Sequence, residues 1–154
     1  MELSLKEKKE IEVLQEALKN SKSSKVFVGK DTLEVAPITH DFSDNMYIRE
    51  MKASAGTFLI GKVHKQDHVW MLLSGSLVIS TEEGLKEIKG PVYGTALKGS
   101  KRVAYVKNDC IFINVFSNLD NTKDIDLIES RLGVDTYEEY EKYLIESKNK
   151  KIWD

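Results

Sequence analysis

Two of the chain's three histidines, His64 and His68, stand four residues apart in the stretch Gly61-Lys-Val-His-Lys-Gln-Asp-His-Val-Trp-Met-Leu-Leu-Ser-Gly75. One closes an apolar strand pattern and the other opens the next, which is how neighbouring strands of a small barrel aim imidazoles at a shared interior. Two such nitrogens can bind one divalent transition metal (Zn, Ni, Fe or Mn), although a useful site wants about three or four protein ligands. Alternation puts Lys62 and His64 on one face of the first strand, and His68, Trp70 and Leu72 on one face of the second. That mixture of charge and aromatic surface suits a cavity wall better than a dry core. The remaining histidine, His40 in His40-Asp41-Phe42, could return to the same interior, where it or Tyr105 would be the candidate acid or base.

Arginine is scarce, appearing only at Arg49, Arg102 and Arg131. A guanidinium reads carboxylates and phosphates better than an ammonium does, so each one matters. Arg49, Lys62 and Arg102 beside His64 and His68 would make the interior cationic, and such a cluster needs an anion: a carboxylate, a phosphate, or a structural acid such as Glu50. Tyr47, Trp70, Tyr93, Tyr105 and Phe116 could supply aromatic walls of the kind a nucleobase packs against, though each is by type more often core.

The elements that must position these groups follow from patterning. At 154 residues and 41% hydrophobic, the chain suits one compact domain, 1–154. Ser4 and Glu7 have capping-box spacing ahead of the stripe Ile11, Leu14, Leu18, which predicts a helix within 1–22 that packs on the barrel or on another subunit. From 25 to 117 the pattern is short β-runs between turns: Val26–Val28, Leu33–Val35, Tyr47–Ala53, Thr57–His64, His68–Leu73, Ser76–Thr81, Leu85–Lys89, Val92–Leu97, Arg102–Lys107 and Ile111–Phe116. Glu82-Glu83-Gly84 reads as a tight hairpin, and Gly90-Pro91 and Gly99-Ser100 as corners. Helices return over 124–150: Ile125, Ile128 and Leu132 share a face, Gly133 stands where a left-handed C-cap is expected, and Thr136 with Glu139 forms a second capping box. The tail Lys148-Asn-Lys-Lys-Ile-Trp-Asp reads as a solvated end, with Trp153 the residue that could dock.

Net charge of −2 gives no drive toward a nucleic acid polymer or an anionic membrane. No apolar run approaches spanning length and the N-terminus is too charged for a secretory signal, so a cytoplasmic protein is expected. Cys110, the lone cysteine, fits a reducing compartment and reads as a buried thiol. Phosphate-loop, dinucleotide, kinase and Ser-His-Asp signatures are absent.

The order of motifs resembles the cupin superfamily, from Tyr47 to Phe116. That family's first motif runs Gly, His-x-His, Glu and Gly, and its second Pro-x-Gly before a histidine. Aligned on the hairpin from Leu72 to Leu77, Lys62 stands at the first histidine, His64 at the second, His68 at the glutamate, and Arg102 at the histidine of the second motif. A narrower resemblance is to small cupin-like proteins encoded by bacteriophages, carried by His40-Asp41-Phe42, Tyr47-Ile48-Arg49-Glu50, Gly61 to His68, Gly90-Pro91, Gly99-Ser100-Lys101-Arg102, Asp109 to Phe116 and Asp126-Leu127-Ile128-Glu129. Phe116 stands where a closing-strand histidine would be expected.

Together these give a mainly β, cupin-type (jelly-roll) β-barrel with flanking N-terminal and C-terminal helices, expected as a homodimer. Its expected occupant is a small anionic molecule, a nucleotide-derived one included, gripped by Arg49, Lys62, His64, His68 and Arg102 with Trp70 and Tyr105 on its rings. The phage resemblance implies a counter-defence protein that captures a host signal in the bacterial cytoplasm. The ligand set is incomplete for a metal enzyme, so catalysis is the weaker alternative: an isomerase or dioxygenase with a divalent metal at His64 and His68. A third alternative is a structural or assembly protein whose barrel is filled with side chains.

Overall fold

A computed structural model describes residues 5–20, 26–28, 36–81 and 83–153. Its body is a largely antiparallel sheet rolled on itself, preceded by helix α1 (Leu5–Lys19) and followed by α2 (Ile125–Leu132) and α3 (Tyr137–Trp153). The strands are β1 Val26–Val28, β2 Ile38–Ser43, β3 Met46–Ala53, β4 Phe58–Ile60, β5 Val63–His64, β6 His68–Thr81, β7 Gly84–Lys89, β8 Val92–Ala96, β9 Val103–Ser117 and β10 Gly133–Val134. β9 is the hub: it pairs with β3, β4 and β6, while β6 also carries β7 and β8.

Register stacks the inward side chains in layers. The first holds Ile38, Met51, Phe112, Leu72 and Val92; the second His40, Arg49, Asn114, Trp70 and Gly94; the third Phe42, Tyr47, Phe116, His68 and Ala96. The first layer belongs to an aliphatic cluster with Ala53, Leu59, Leu77, Ala104, Val106 and Cys110. Beyond the third, Tyr47 and Phe116 meet Ile128 and Leu132, so α2 covers that end of the roll.

Several elements differ from their sequence patterns. β2 was not among the expected strands, because inward Ile38, His40 and Phe42 alternate with polar Thr39, Asp41 and Ser43 and dilute the apolar signal. The expected pairs of strands around Gly75 and around Asn108 are single long strands, β6 and β9. Ser74 and Gly75 read as a turn, yet they form a bulge: the register with β9 shifts there, and the position needs glycine both for its φ of +84° and because a Cβ would run into the Asp109 carbonyl. Conversely, the run Thr57–His64 breaks into β4 and β5. Gly133 is no left-handed cap; at φ −176° it is extended and pairs with His64. Its role is space, since a Cβ would lie 2.7 Å from the Val63 carbonyl oxygen. The Thr136–Glu139 box forms in both directions, the Thr136 amide donating to Glu139 at 2.9 Å and the Glu139 amide to Thr136 Oγ1 at 3.2 Å. α3 continues through the charged tail to Trp153. The expected Leu33–Val35 strand, the Ser4 cap and the Trp153 side chain lie outside the described residues.

Candidate functional site

The second and third layers, closed by α2, bring the polar residues together. His68 opens β6 and is 7% exposed; its ring lies 4.3 Å from that of His64 and 4.4 Å from that of Phe116. His64 is aimed by its backbone: its amide donates to the Ser100 carbonyl, its carbonyl accepts from Gly99, and β10 pairs alongside. Trp70 lies parallel to Phe112, with centroids 5.9 Å apart at 9°. Its indole passes flat over Gly94, where a Cβ would come within 2.7 Å of it.

Arg49 projects from β3 between the layers with its side chain 16% exposed. Its Nε is 3.8 Å from Glu129 Oε1, and beyond that contact the guanidinium has no hydrogen-bond partner among the described residues. Lys62 Nζ reaches the other oxygen of the same carboxylate at 3.7 Å. One acid on α2 thus neutralises two cations from the barrel at ion-pair distance, without the short charge-assisted bonds that would use up their donors. Buried Tyr47 donates to or accepts from His40 Nδ1 at 2.7 Å.

Electrostatics follow from this crowding. Burial, then His68, Arg49 and Arg102, push the His64 pKa down to about 3, so its ring is a neutral imidazole at physiological pH. Burial also lowers the His68 pKa, opposed by the Gln66 carbonyl, the Asn114 side chain and the Asp67 carboxylate. Among the described residues, His68 Nδ1 is buried with no partner at good hydrogen-bond geometry, the Gln66 carbonyl and Asn114 acting on the ring only electrostatically. Burial pushes the Tyr47 hydroxyl up to about 12, with Arg49 opposing and Glu129 reinforcing, which keeps its proton on.

Of the expected site residues, Arg49, Lys62, His64, His68 and Trp70 come together. Arg102 sits at their margin: its Nη1 donates to the Ser80 carbonyl at 3.1 Å while its charge bears on His64. Tyr105 does not join them, because the pleat turns it to the outer face against Phe58, 5.1 Å between centroids. Tyr93 also faces outward, 78% exposed. The acid for Arg49 is not Glu50, which pairs with Lys52 at 3.5 Å. Glu129 and Asn114 are the residues that pattern reading missed. Glu129 follows buried Ile128 on an amphipathic helix, and no local signal tells which barrel residue it will face. Asn114 was legible: it is the one polar residue in Ile111-Phe-Ile-Asn-Val-Phe116 and falls at an inward position. Lys101, beside Arg102, is the more buried of the two and donates from Nζ to the Asp135 carbonyl, tying the barrel to the α2–α3 link.

The donor set does not fit a resident divalent metal. Among the described residues no group of three or more His, Cys, Asp or Glu side chains gathers. Phe116 packs on both imidazoles where a third nitrogen would be needed, and the Arg49 and Arg102 charges that disfavour a proton on His64 oppose a metal cation equally.

A rolled antiparallel sheet of this order is a cupin-type jelly roll, a double-stranded β-helix flanked by helices. Among solved structures, the chain is similar to KdgF from a Halomonas species, at TM-score 0.50 and 14% identity over 60% of this chain and 94% of that one. It is similar too to a double-stranded β-helix protein from Klebsiella pneumoniae, at TM-score 0.49 and 15% identity over 67% and 94% of the two chains. A cupin superfamily protein from Desulfitobacterium hafniense aligns at TM-score 0.48 and 9% identity, over 63% and 98%. No protein-family model and no curated protein sequence matches the chain. At 14% identity the likeness to KdgF speaks to fold alone. Among the described residues, no helix is long and apolar enough to cross a membrane.

Proposed function

We propose that this protein binds a small anionic molecule in the polar half of its barrel and does no chemistry on it. The observation that carries this is Arg49: a guanidinium mostly removed from water, with no hydrogen bond among the described residues and only a 3.8 Å ion pair. Burying donors without partners costs about 1–3 kcal/mol for each neutral group and more for charged ones, so such an arrangement persists where a ligand completes it. A carboxylate or phosphate takes two parallel bonds from the guanidinium, with Lys62 beside it and Arg102 at the margin. Neutral His64 and His68 each offer one donor or one acceptor without adding charge. Trp70 and Phe116 give flat apolar surface next to the cations, which favours a nucleoside phosphate over a bare inorganic anion. On this reading Glu129 is the stand-in counter-ion that the ligand's own anion replaces.

The resemblance to phage-encoded cupin-like proteins supports a role in sequestering a host nucleotide signal in the bacterial cytoplasm. The test is titration calorimetry of the full chain with AMP, cyclic AMP, citrate and inorganic phosphate. At least one organic anion should bind, and Arg49→Met should weaken it more than tenfold with an unchanged fold. Silence across the panel from folded wild-type protein would remove the proposal.

A further inference from the structure

Asn114 is an inward-facing polar residue of β9, set between Phe112 and Phe116 and half-buried. Other asparagines in this half of the chain have structural work. Asn108 accepts from the Ser76 hydroxyl, and Asn118 Nδ2 donates to the Thr122 carbonyl at 3.0 Å. Asn121 accepts from the Asn45 amide and donates to Asp44. Asn114 makes no such bond among the described residues and bears on the His68 ring only electrostatically. A carboxamide offers two donors and an acceptor with two lone pairs, and drawing them inward without partners costs stability.

Its neighbours suggest what the partner is. Register puts Arg49 directly across on β3 and Trp70 directly across on β6. The Trp70 indole lies along the wall, over the bare backbone of Gly94, and its Nε1–H has no partner among the described residues. A cation, an amide and a flat ring therefore share one row, spanning about 10 Å from β3 to β6 at about 4.8 Å per strand.

We propose that Asn114 reads the edge of a nucleobase, so that the molecule held at the anion site is a nucleoside phosphate rather than a sugar phosphate. This rests on the anion-binding reading above and extends it from the charge to the base. With the phosphate on Arg49, the row leads the rest of the ligand past Asn114 toward Trp70. The amide sets a donor beside an acceptor, and a base edge with the reverse pair completes both bonds, as the amine and ring nitrogen of adenine do. A sugar phosphate satisfies Arg49 equally well but brings no planar edge to the amide and no ring to the indole.

Titration calorimetry of the full chain with AMP, GMP, CMP, UMP and ribose 5-phosphate tests this. At least one nucleotide should bind wild-type protein about tenfold or more tighter than ribose 5-phosphate does. Asn114→Leu should shrink that preference to about threefold or less, with an unchanged circular dichroism spectrum. Asn114→Ser, which adds no apolar bulk, should shrink it too and serves if the leucine variant does not fold. Arg49→Met should weaken the nucleotide and ribose 5-phosphate by similar factors. If ribose 5-phosphate binds as tightly as the nucleotides, or the preference survives in a folded Asn114 variant, Asn114 reads no base and the anion site alone stands. If no anion binds folded wild-type protein, the anion site and this assignment fall together.

Discussion

The two halves of the barrel interior are built from the same strands and differ in almost everything else. One step of two residues along β3, β6 and β9 replaces Met51, Leu72 and Phe112 with Arg49, Trp70 and Asn114, and the next step brings Tyr47, His68 and Phe116. The first layer sits in a cluster where Leu72, Val106 and Ala36 are fully buried and the side chains are apolar, with the hydroxyl of neighbouring Thr57 the one buried polar group there that finds no partner among the described residues. The others hold an ion pair shared by Arg49, Lys62 and Glu129, a tyrosine–histidine hydrogen bond, and a buried imidazole nitrogen with no partner among the described residues. A rolled sheet can therefore divide its labour by depth. The aliphatic end supplies stability through burial, and that allows the other end to keep groups that cost stability.

Three measurements would break or sharpen that contrast. Leu72→Ala, in the aliphatic half, should lower unfolding free energy in urea by about 2–5 kcal/mol, because it removes apolar burial and leaves a cavity. A loss below that range would mean the aliphatic layers are not the main source of stability. Next in size is the effect of pH in the polar half. His64 takes a proton near 6.5 when unfolded but only near 3 when folded, so between those values the unfolded chain binds more protons. Stability should be fully present above about pH 6.5 and fall as pH drops toward 3, by up to about 1.4 kcal/mol per pH unit, with His68 acting in the same direction. Chemical denaturation across that window should show the slope, and His64→Gln should flatten it; an unaltered slope in the variant would place its source elsewhere. The smallest effect concerns Glu129. With its negative charge removed in Glu129→Gln, whichever organic anion of that panel binds the wild-type protein should bind about tenfold tighter, about 1.4 kcal/mol, in calorimetry. Equal or weaker binding would show that the carboxylate does not compete with the ligand.

How much of this was legible depended on whether a residue's neighbours lie on the same strand or elsewhere. Period-two alternation found β3, β7 and β8, and it put His68, Trp70 and Leu72 on one face, where they are. It failed for Tyr105, which was grouped with the interior by type rather than by pleat. It failed at Gly75 as well, where the residue that usually turns a chain allows a strand to bend and continue. Least legible was Glu129: the helical period shows that Ile128 and Leu132 are buried together, but the facing of the intervening acid toward Arg49 is set by how α2 docks, a contact between residues eighty positions apart.

That acid belongs to the chain after the roll has closed. Proteolysis between Ser117 and Ile125 that released the C-terminal helices would strip the guanidinium and ammonium of their resident negative charge at the open end of the barrel. In the intact chain α2 sets a tethered carboxylate beside those cations, so a ligand of the kind proposed above would have to displace Glu129 to reach them.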